Sequence, residues 1–175
     1  MGLVEEFVLR SEIITILFSM KPTISFVLQL SPSTDYNSLD AVARNLADGL
    51  DIMLNSGLVR CSLFLDGPTI ETLRKVAKPL VLGKVKDAVA DGVLEFLGGG
   101  FYDPMLPLFP EETQSMQLDM HRRLLKKNFE VEPQGFFNSS LVWEMGMTAV
   151  LQRAGFDYAL VSEAADNLLS GITSA

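Results

Sequence analysis

Gly92-Val-Leu-Glu-Phe-Leu-Gly-Gly-Gly-Phe-Tyr-Asp-Pro-Met-Leu-Pro107 is the stretch on which the fold turns. Residues 93–97 make a short apolar run of strand length, and three glycines at 98–100 stop it. The loop that follows, 101–110, is stiffened by Pro104, Pro107 and Pro110. Beyond it, residues 111–129 carry apolar side chains at helical spacing, with Met116, Met120 and Leu124 on one stripe. A strand, a glycine-rich corner and a long helix in that order open a β-α-β unit, so the strand is expected in a parallel sheet.

The same alternation continues in both directions. Residues 24–30 follow Pro22 as a β-rich run and end at Ser31-Pro32-Ser33. Leu39, Val42, Ala43, Leu46, Leu50, Met53 and Leu54 then recur at helical spacing, between Ser38 as N-cap and Gly57 as stop. Residues 59–65 read as a second strand closed by Asp66-Gly67-Pro68. A helical pattern over 70–90 should be kinked or split by Pro79. Downstream, 135–139 is a fourth strand, 144–154 a helix stopped by Gly155, 158–161 a fifth strand and 164–169 a short helix. Both an open doubly wound sheet and a closed barrel fit this order.

Composition narrows the function classes. The chain has 175 residues, 48% of them hydrophobic, enough for one domain with a core of its own. A net charge of −8 argues against nucleic acid and against anionic membranes as partners. Cys61 has no second cysteine to pair with, which suits a reducing cytoplasm and a buried structural thiol. Residues 1–20 are apolar but interrupted by Glu5, Glu6, Arg10 and Glu12, so neither a signal peptide nor a membrane span is expected. An added helix is the expectation there, or read-through from an upstream start, with residues 21–175 forming the domain proper. One histidine and one cysteine are too few for a metal cluster. The glycines at 98–100 lack the Lys-Ser/Thr that follows in phosphate-binding loops.

Two stretches carry a family resemblance. Gly92-Val-Leu-Glu95 followed by Gly98-Gly-Gly-Phe-Tyr-Asp-Pro-Met-Leu-Pro107 resembles Gly-x-x-Glu and Gly-Gly-(Phe/Tyr)-Tyr-Glu-Pro-x-Leu-Pro of glycoside hydrolase family 57. Gly135-Phe-Phe-Asn-Ser-Ser-Leu-Val-Trp-Glu144 resembles its Gly-x-Trp-x-x-Glu-Arg-Val-Trp-Glu-Pro. The resemblance runs over about residues 22–163. It implies a seven-stranded relative of the eightfold (β/α) barrel. About five strands are counted here, so an α/β fold with a partial, unclosed parallel barrel is expected. An unclosed barrel leaves a strand edge and apolar interior for a protein partner or a second copy to cover. Members of the family are retaining α-glucan hydrolases and transferases that need no metal or organic cofactor, so none is expected.

The resemblance also assigns residues. The nucleophile glutamate falls on Ser140, its arginine on Leu141 and the proline on Met145, while Gly135, Val142, Trp143 and Glu144 agree. The two histidines of a His-x-His-Gln-Pro signature fall on Gln29 and Ser31. Glu95 matches a substrate-contacting glutamate, and Asp103 replaces a glutamate with a shorter reach. Substrate contacts are therefore expected from Gln29, Ser31, Glu95, Asp103 and Trp143. A retaining glycosidase needs two carboxyl groups about 5–5.5 Å apart, and a serine cannot replace one without a base. His121 stands beside Leu118 and Leu125 and is expected on a helix flank, so a Ser-His-Asp triad is not supported. The family's acid/base aspartate follows a later strand than this chain reaches. The leading expectation is a degenerate member that binds α-glucan or oligosaccharide without cleaving it. A split enzyme completed by another chain, or a regulatory or assembly module docking through the open face, are the alternatives. A metal-dependent deacetylase on a related barrel lacks its histidines.

Overall fold

A computed structural model describes residues 6–8, 26–30, 36–56, 60–76 and 79–162. The elements in chain order are β1 (Glu6–Val8), β2 (Phe26–Leu30), α1 (Tyr36–Ser56), β3 (Cys61–Leu65), α2 (Gly67–Val76), α3 (Pro79–Ala90), β4 (Leu94–Gly98), α4 (Glu111–Phe129), β5 (Gly135–Phe137), α5 (Met147–Arg153) and β6 (Tyr158–Leu160). A single turn of 3₁₀-helix, Leu106–Leu108, interrupts the loop before α4. The six strands form one sheet in the order β1-β6-β5-β4-β3-β2. Strands β2 to β6 are parallel, and β1 joins β6 antiparallel.

The expected α/β alternation and the five parallel strands are therefore present. Register shows how the sheet is sheared. Strand β4 pairs with β3 through Leu94, Glu95 and Phe96, but with β5 through Leu97 and Gly98. Across β4 the next strand thus starts further along, a stagger of the kind that tilts strands into a barrel wall. Of residues 1–20, expected as a helix, Glu6–Val8 is instead strand β1. Phe7 and Val8 suit a strand, and β1 covers the edge that β6 would otherwise leave open, pairing Glu6 with Leu160 and Val8 with Tyr158. The rest of that segment and the short helix expected at 164–169 lie outside the described residues.

Pro79 splits the expected helical stretch: α2 ends at Val76 and Pro79 opens α3, since an N-terminal helical position loses nothing by lacking its N–H. Two further boundaries differ from the sequence reading for local reasons. Strand β5 stops at Phe137 because Ser139 and Ser140 enter a turn. Helix α5 starts at Met147, three residues later than expected, because Leu141 sits at φ 52° and the chain is still turning.

Two apolar clusters hold the helices on the sheet. The first joins Ala43, Leu46, Ala47 and Leu50 of α1 to Leu63, Leu65, Leu94 and Phe96 of the sheet, with Leu125 and Phe129 of α4. The second joins Leu118 of α4 to Phe136, Val150, Leu151 and Phe156. Helix α4 spans both. Its first turn carries Glu111 and Glu112 and its last Lys126 and Lys127, as the helix dipole favours. Among the described residues no helix is long and apolar enough to cross a membrane.

Candidate functional site

The carboxyl ends of β3, β4 and β5 converge, and three polar side chains meet there. Asp66 follows β3 and caps α2, its Oδ1 accepting the Thr69 N–H at 2.7 Å. The carbonyl of Phe101 accepts the Gly67 N–H at 2.7 Å, which ties this corner to the loop after β4. Asp103 sits in that loop at φ 48°, its own N–H turned back to the Gly100 carbonyl at 3.1 Å. Aspartate tolerates this left-handed conformation better than most residues. The Ser139 hydroxyl, just past β5, donates to Asp103 Oδ2. Burial pushes the Asp103 carboxyl above the usual aspartate range; the Ser139 hydrogen bonds oppose this, and the charge of Asp66 adds to it.

Ser140 is occupied differently. Its Oγ donates to Asn138 Oδ1 at 2.9 Å, and its N–H points to the same oxygen at 3.3 Å. The Val142 amide approaches Ser140 Oγ at 3.5 Å. Asn138 is itself buried, and its Nδ2 donates to the Val142 carbonyl at 3.3 Å. Among the described residues the partners of the Ser140 hydroxyl are an amide oxygen and a peptide N–H, and neither can take its proton.

A polar stripe on α4 holds the loop that carries Asp103. Gln114, Gln117 and His121 are all buried, and their spacing puts them on one helical face. Gln114 Nε2 donates to the Phe109 carbonyl at 2.8 Å. Gln117 Oε1 accepts the Tyr102 N–H at 3.0 Å, and its backbone carbonyl accepts that of Phe101 at 3.2 Å. His121 Nδ1 accepts the Gly99 N–H at 3.0 Å, and Nε2 lies 2.8 Å from the Leu65 carbonyl. The proton therefore sits on Nε2. Burial lowers the ring's pKa, against smaller opposing effects from its hydrogen bonds and from Asp66. His121 is 0% exposed, not on a helix flank as expected. Its neighbours Leu118 and Leu125 are core residues, which is why it lies inside.

Glu95 belongs to another part of the sheet. It is exposed, and Tyr158 Oη of β6 donates to its Oε1 at 2.5 Å. The tyrosine reaches it across β5 because Gly135 has no side chain; a Cβ there would meet the Tyr158 Cζ at 2.4 Å. Gln29 stands opposite Phe64 in the β2–β3 register. Ser31 lies outside the described residues. Trp143 packs on the second cluster, and its Nε1 is buried with no hydrogen-bond partner among the described residues. Glu144 is exposed, its carbonyl accepting the Met147 N–H.

The site thus gathers Asp103 with three residues that motif matching passes over: Asp66, Ser139 and His121. Asp66 had a signal, an acidic N-cap at a strand end. Ser139 had none beyond adjacency to Ser140. Among the described residues, no group of three or more His, Cys, Asp or Glu side chains is placed to hold a metal ion. What remains is a half-buried hydrogen-bonding site of carboxylate and hydroxyl. The Tyr102 ring stands exposed beside it.

Comparison with known proteins gives a consistent result. The family model described as glycosyl hydrolase family 57 matches residues 23–174. Alpha-amylase 1 of Dictyoglomus thermophilum is 30% identical over 86 residues, 49% of this chain and 12% of that protein. A 4-alpha-glucanotransferase of Thermococcus kodakarensis is 29% identical over 105 residues, 60% of this chain and 16% of that protein. The crystal structure of 4-alpha-glucanotransferase from Thermococcus litoralis superposes with a TM-score of 0.64 at 22% identity, covering 76% of this chain and 21% of that one. The match therefore spans about a fifth or less of each relative's length.

Proposed function

We propose a function from one premise: this chain belongs to glycosyl hydrolase family 57. It is a domain of α-glucan metabolism that holds an α-glucan or oligosaccharide at the carboxyl ends of β3 to β5 and does not cleave it. The observation that carries this reading is the pair Ser139–Asp103 with Ser140 beside it. Asp103 can accept hydrogen bonds from sugar hydroxyls, and the Tyr102 ring offers a face to a pyranose. Retaining cleavage needs a carboxylate nucleophile and a second carboxyl as acid/base. Position 140 offers a hydroxyl bound to an amide, so the first of these is missing.

Calorimetric titration of maltoheptaose into wild type and Ser140→Glu, with an assay for glucan cleavage on both, tests this. Binding without turnover by the wild type is expected. Wild-type turnover refutes the loss of catalysis, and absence of binding refutes the glucan site.

A specific observation favours a second reading, a docking module. Met105, Leu108 and Phe109 on one loop and Leu141, Val142 and Met145 on the next are all exposed. Two adjacent loops with this many exposed apolar side chains suit a protein partner or self-association. A monomer in gel filtration at high protein concentration counts against self-association. The buried Cys61 thiol and the acidic surface support residence in the cytoplasm.

A further inference from the structure

His121 occupies a core position where an apolar side chain would pack as well. It lies between Leu118 and Leu125 on the buried face of α4, and the Phe64 ring meets it edge-on at 5.7 Å. Its two nitrogens satisfy two backbone groups on different strands, the carbonyl of Leu65 ending β3 and the N–H of Gly99 just past β4. An apolar residue would take away the partner that both of these buried groups have in the ring, and a buried polar group without a partner is destabilising. Each group lies close in sequence to a site residue. Leu65 precedes Asp66, and Gly99 precedes Gly100, which opens the turn that ends at Asp103.

We propose that His121 is a positioning residue for the Asp103 site, its neutral ring fixing the ends of β3 and β4 so that Asp66 and Asp103 take one arrangement around Ser139. The imidazolium cannot do this. With protons on both nitrogens, Nδ1–H would face the Gly99 N–H, donor against donor. The groups packed on the ring are Phe64 and the Leu65 carbonyl from β3 and the Gly99 amide from the β4 loop. Asp66, from the turn before α2, is the charged group whose field reaches it. Gln117 and Gln114 continue the same clamp along the loop, so the α4 stripe carries the loop as a unit.

Only the sugar-binding arm of the test rests on the glucan reading. Nitrogen NMR of the imidazole in the wild type reports the tautomer at neutral pH. Proton on Nε2 with an accepting Nδ1 is expected; the other tautomer or an imidazolium overturns the proposal without any variant. His121→Phe keeps the volume and removes both hydrogen bonds. His121→Gln can still accept from Gly99 and donate to Leu65. Carbon NMR of the Asp103 carboxyl should give the same elevated titration midpoint in wild type and His121→Gln. In His121→Phe the midpoint should fall towards the ordinary aspartate value, and maltoheptaose affinity should drop about tenfold, 1.4 kcal/mol. An Asp103 midpoint unchanged in His121→Phe, or lowered equally in His121→Gln, overturns the positioning role. If wild type binds no maltoheptaose, the glucan reading fails and the Asp103 midpoints alone decide the role of His121.

Discussion

Replacing Gly99 by alanine should harm this protein while the same change at Gly83 should help it, because the two glycines have opposite surroundings. A Cβ on Gly99 would lie 2.5 Å from Phe64 Cε2 and 2.6 Å from the Phe137 carbonyl oxygen. Neither neighbour can yield cheaply. The Phe64 ring is 1% exposed and wedged between His121 at 5.7 Å and Phe137 at 5.4 Å. The carbonyl is backbone at the end of β5, just before the turn that presents Ser139. The Gly99 segment must therefore move, and its N–H moves away from His121 Nδ1. Overpacking costs about 1–3 kcal/mol, and a buried hydrogen bond lost on one side about 1–3 kcal/mol more. A total near 4 kcal/mol lowers the midpoint of thermal unfolding by roughly 8–16 °C in a domain of this size.

Gly83 lies inside α3, and a Cβ there meets nothing within 4 Å. Gly49 inside α1 is the same. Alanine at either removes the backbone entropy penalty of a helical glycine and should add about 0.5–1 kcal/mol. Urea unfolding and calorimetry on the three variants give the answer together. If Gly99→Ala unfolds within about 1 kcal/mol of wild type, the packing of Phe64 against the strand ends is wrong.

Three other outcomes are expected. Asp103 has its folded pKa raised by burial, so the native state binds more protons than the unfolded chain between the two values. Its contribution to stability is full below the unfolded value and lost as pH rises through the folded one; Asp103→Asn should gain on wild type across that window and hold a constant lead above it. Urea unfolding well below and well above the ordinary carboxylate range checks this, and an equal gap at both pH values refutes it. Phe96→Ala, which empties a fully buried site packed on the Phe129 ring at 4.6 Å, should cost about 3–5 kcal/mol, and a loss under about 1 kcal/mol counts against this core. Burial raises the pKa of the Cys61 thiol, so it should react with a disulfide reagent only as fast as the protein opens; a rapid native reaction would contradict its place under the helices.

Local periodicity made the strands and helices legible, and the bounds of α4 were readable, but its buried face is not the Met116, Met120 and Leu124 stripe: Met116 is exposed, and Leu118, His121, Leu125 and Phe129 face the core. Register was not legible. Nothing in residues 93–98 says that the first half of β4 faces β3 and the second half β5, because that offset is set by partners far along the chain. The site was legible only where a motif covered it. Asp103 was visible, but its donor Ser139 belongs to a loop 36 positions on. His121 was misjudged for a related reason. Helical spacing puts it on the same face as Leu118 and Leu125, yet a polar residue on such a stripe looks like its margin. Only the two unpaired backbone groups beneath it explain an imidazole in the core, and those come from β3 and β4.

The serine at 140 has an electrostatic consequence as well as a chemical one. A carboxylate there would stand one residue from Ser139, whose hydroxyl is already given to Asp103. Asp66 adds its charge to the same half-buried region. Carboxylates that share such a volume raise one another's pKa and make each ionised form more costly. A serine removes that repulsion and gives its proton to Asn138 Oδ1, so the turn after β5 closes on itself. A serine at position 140 therefore adds no further charge to the region around Asp103. A glutamate placed at 140 would add a third carboxylate to the loops that carry Asp66 and Asp103, and like charges brought close disfavour one another's ionised form.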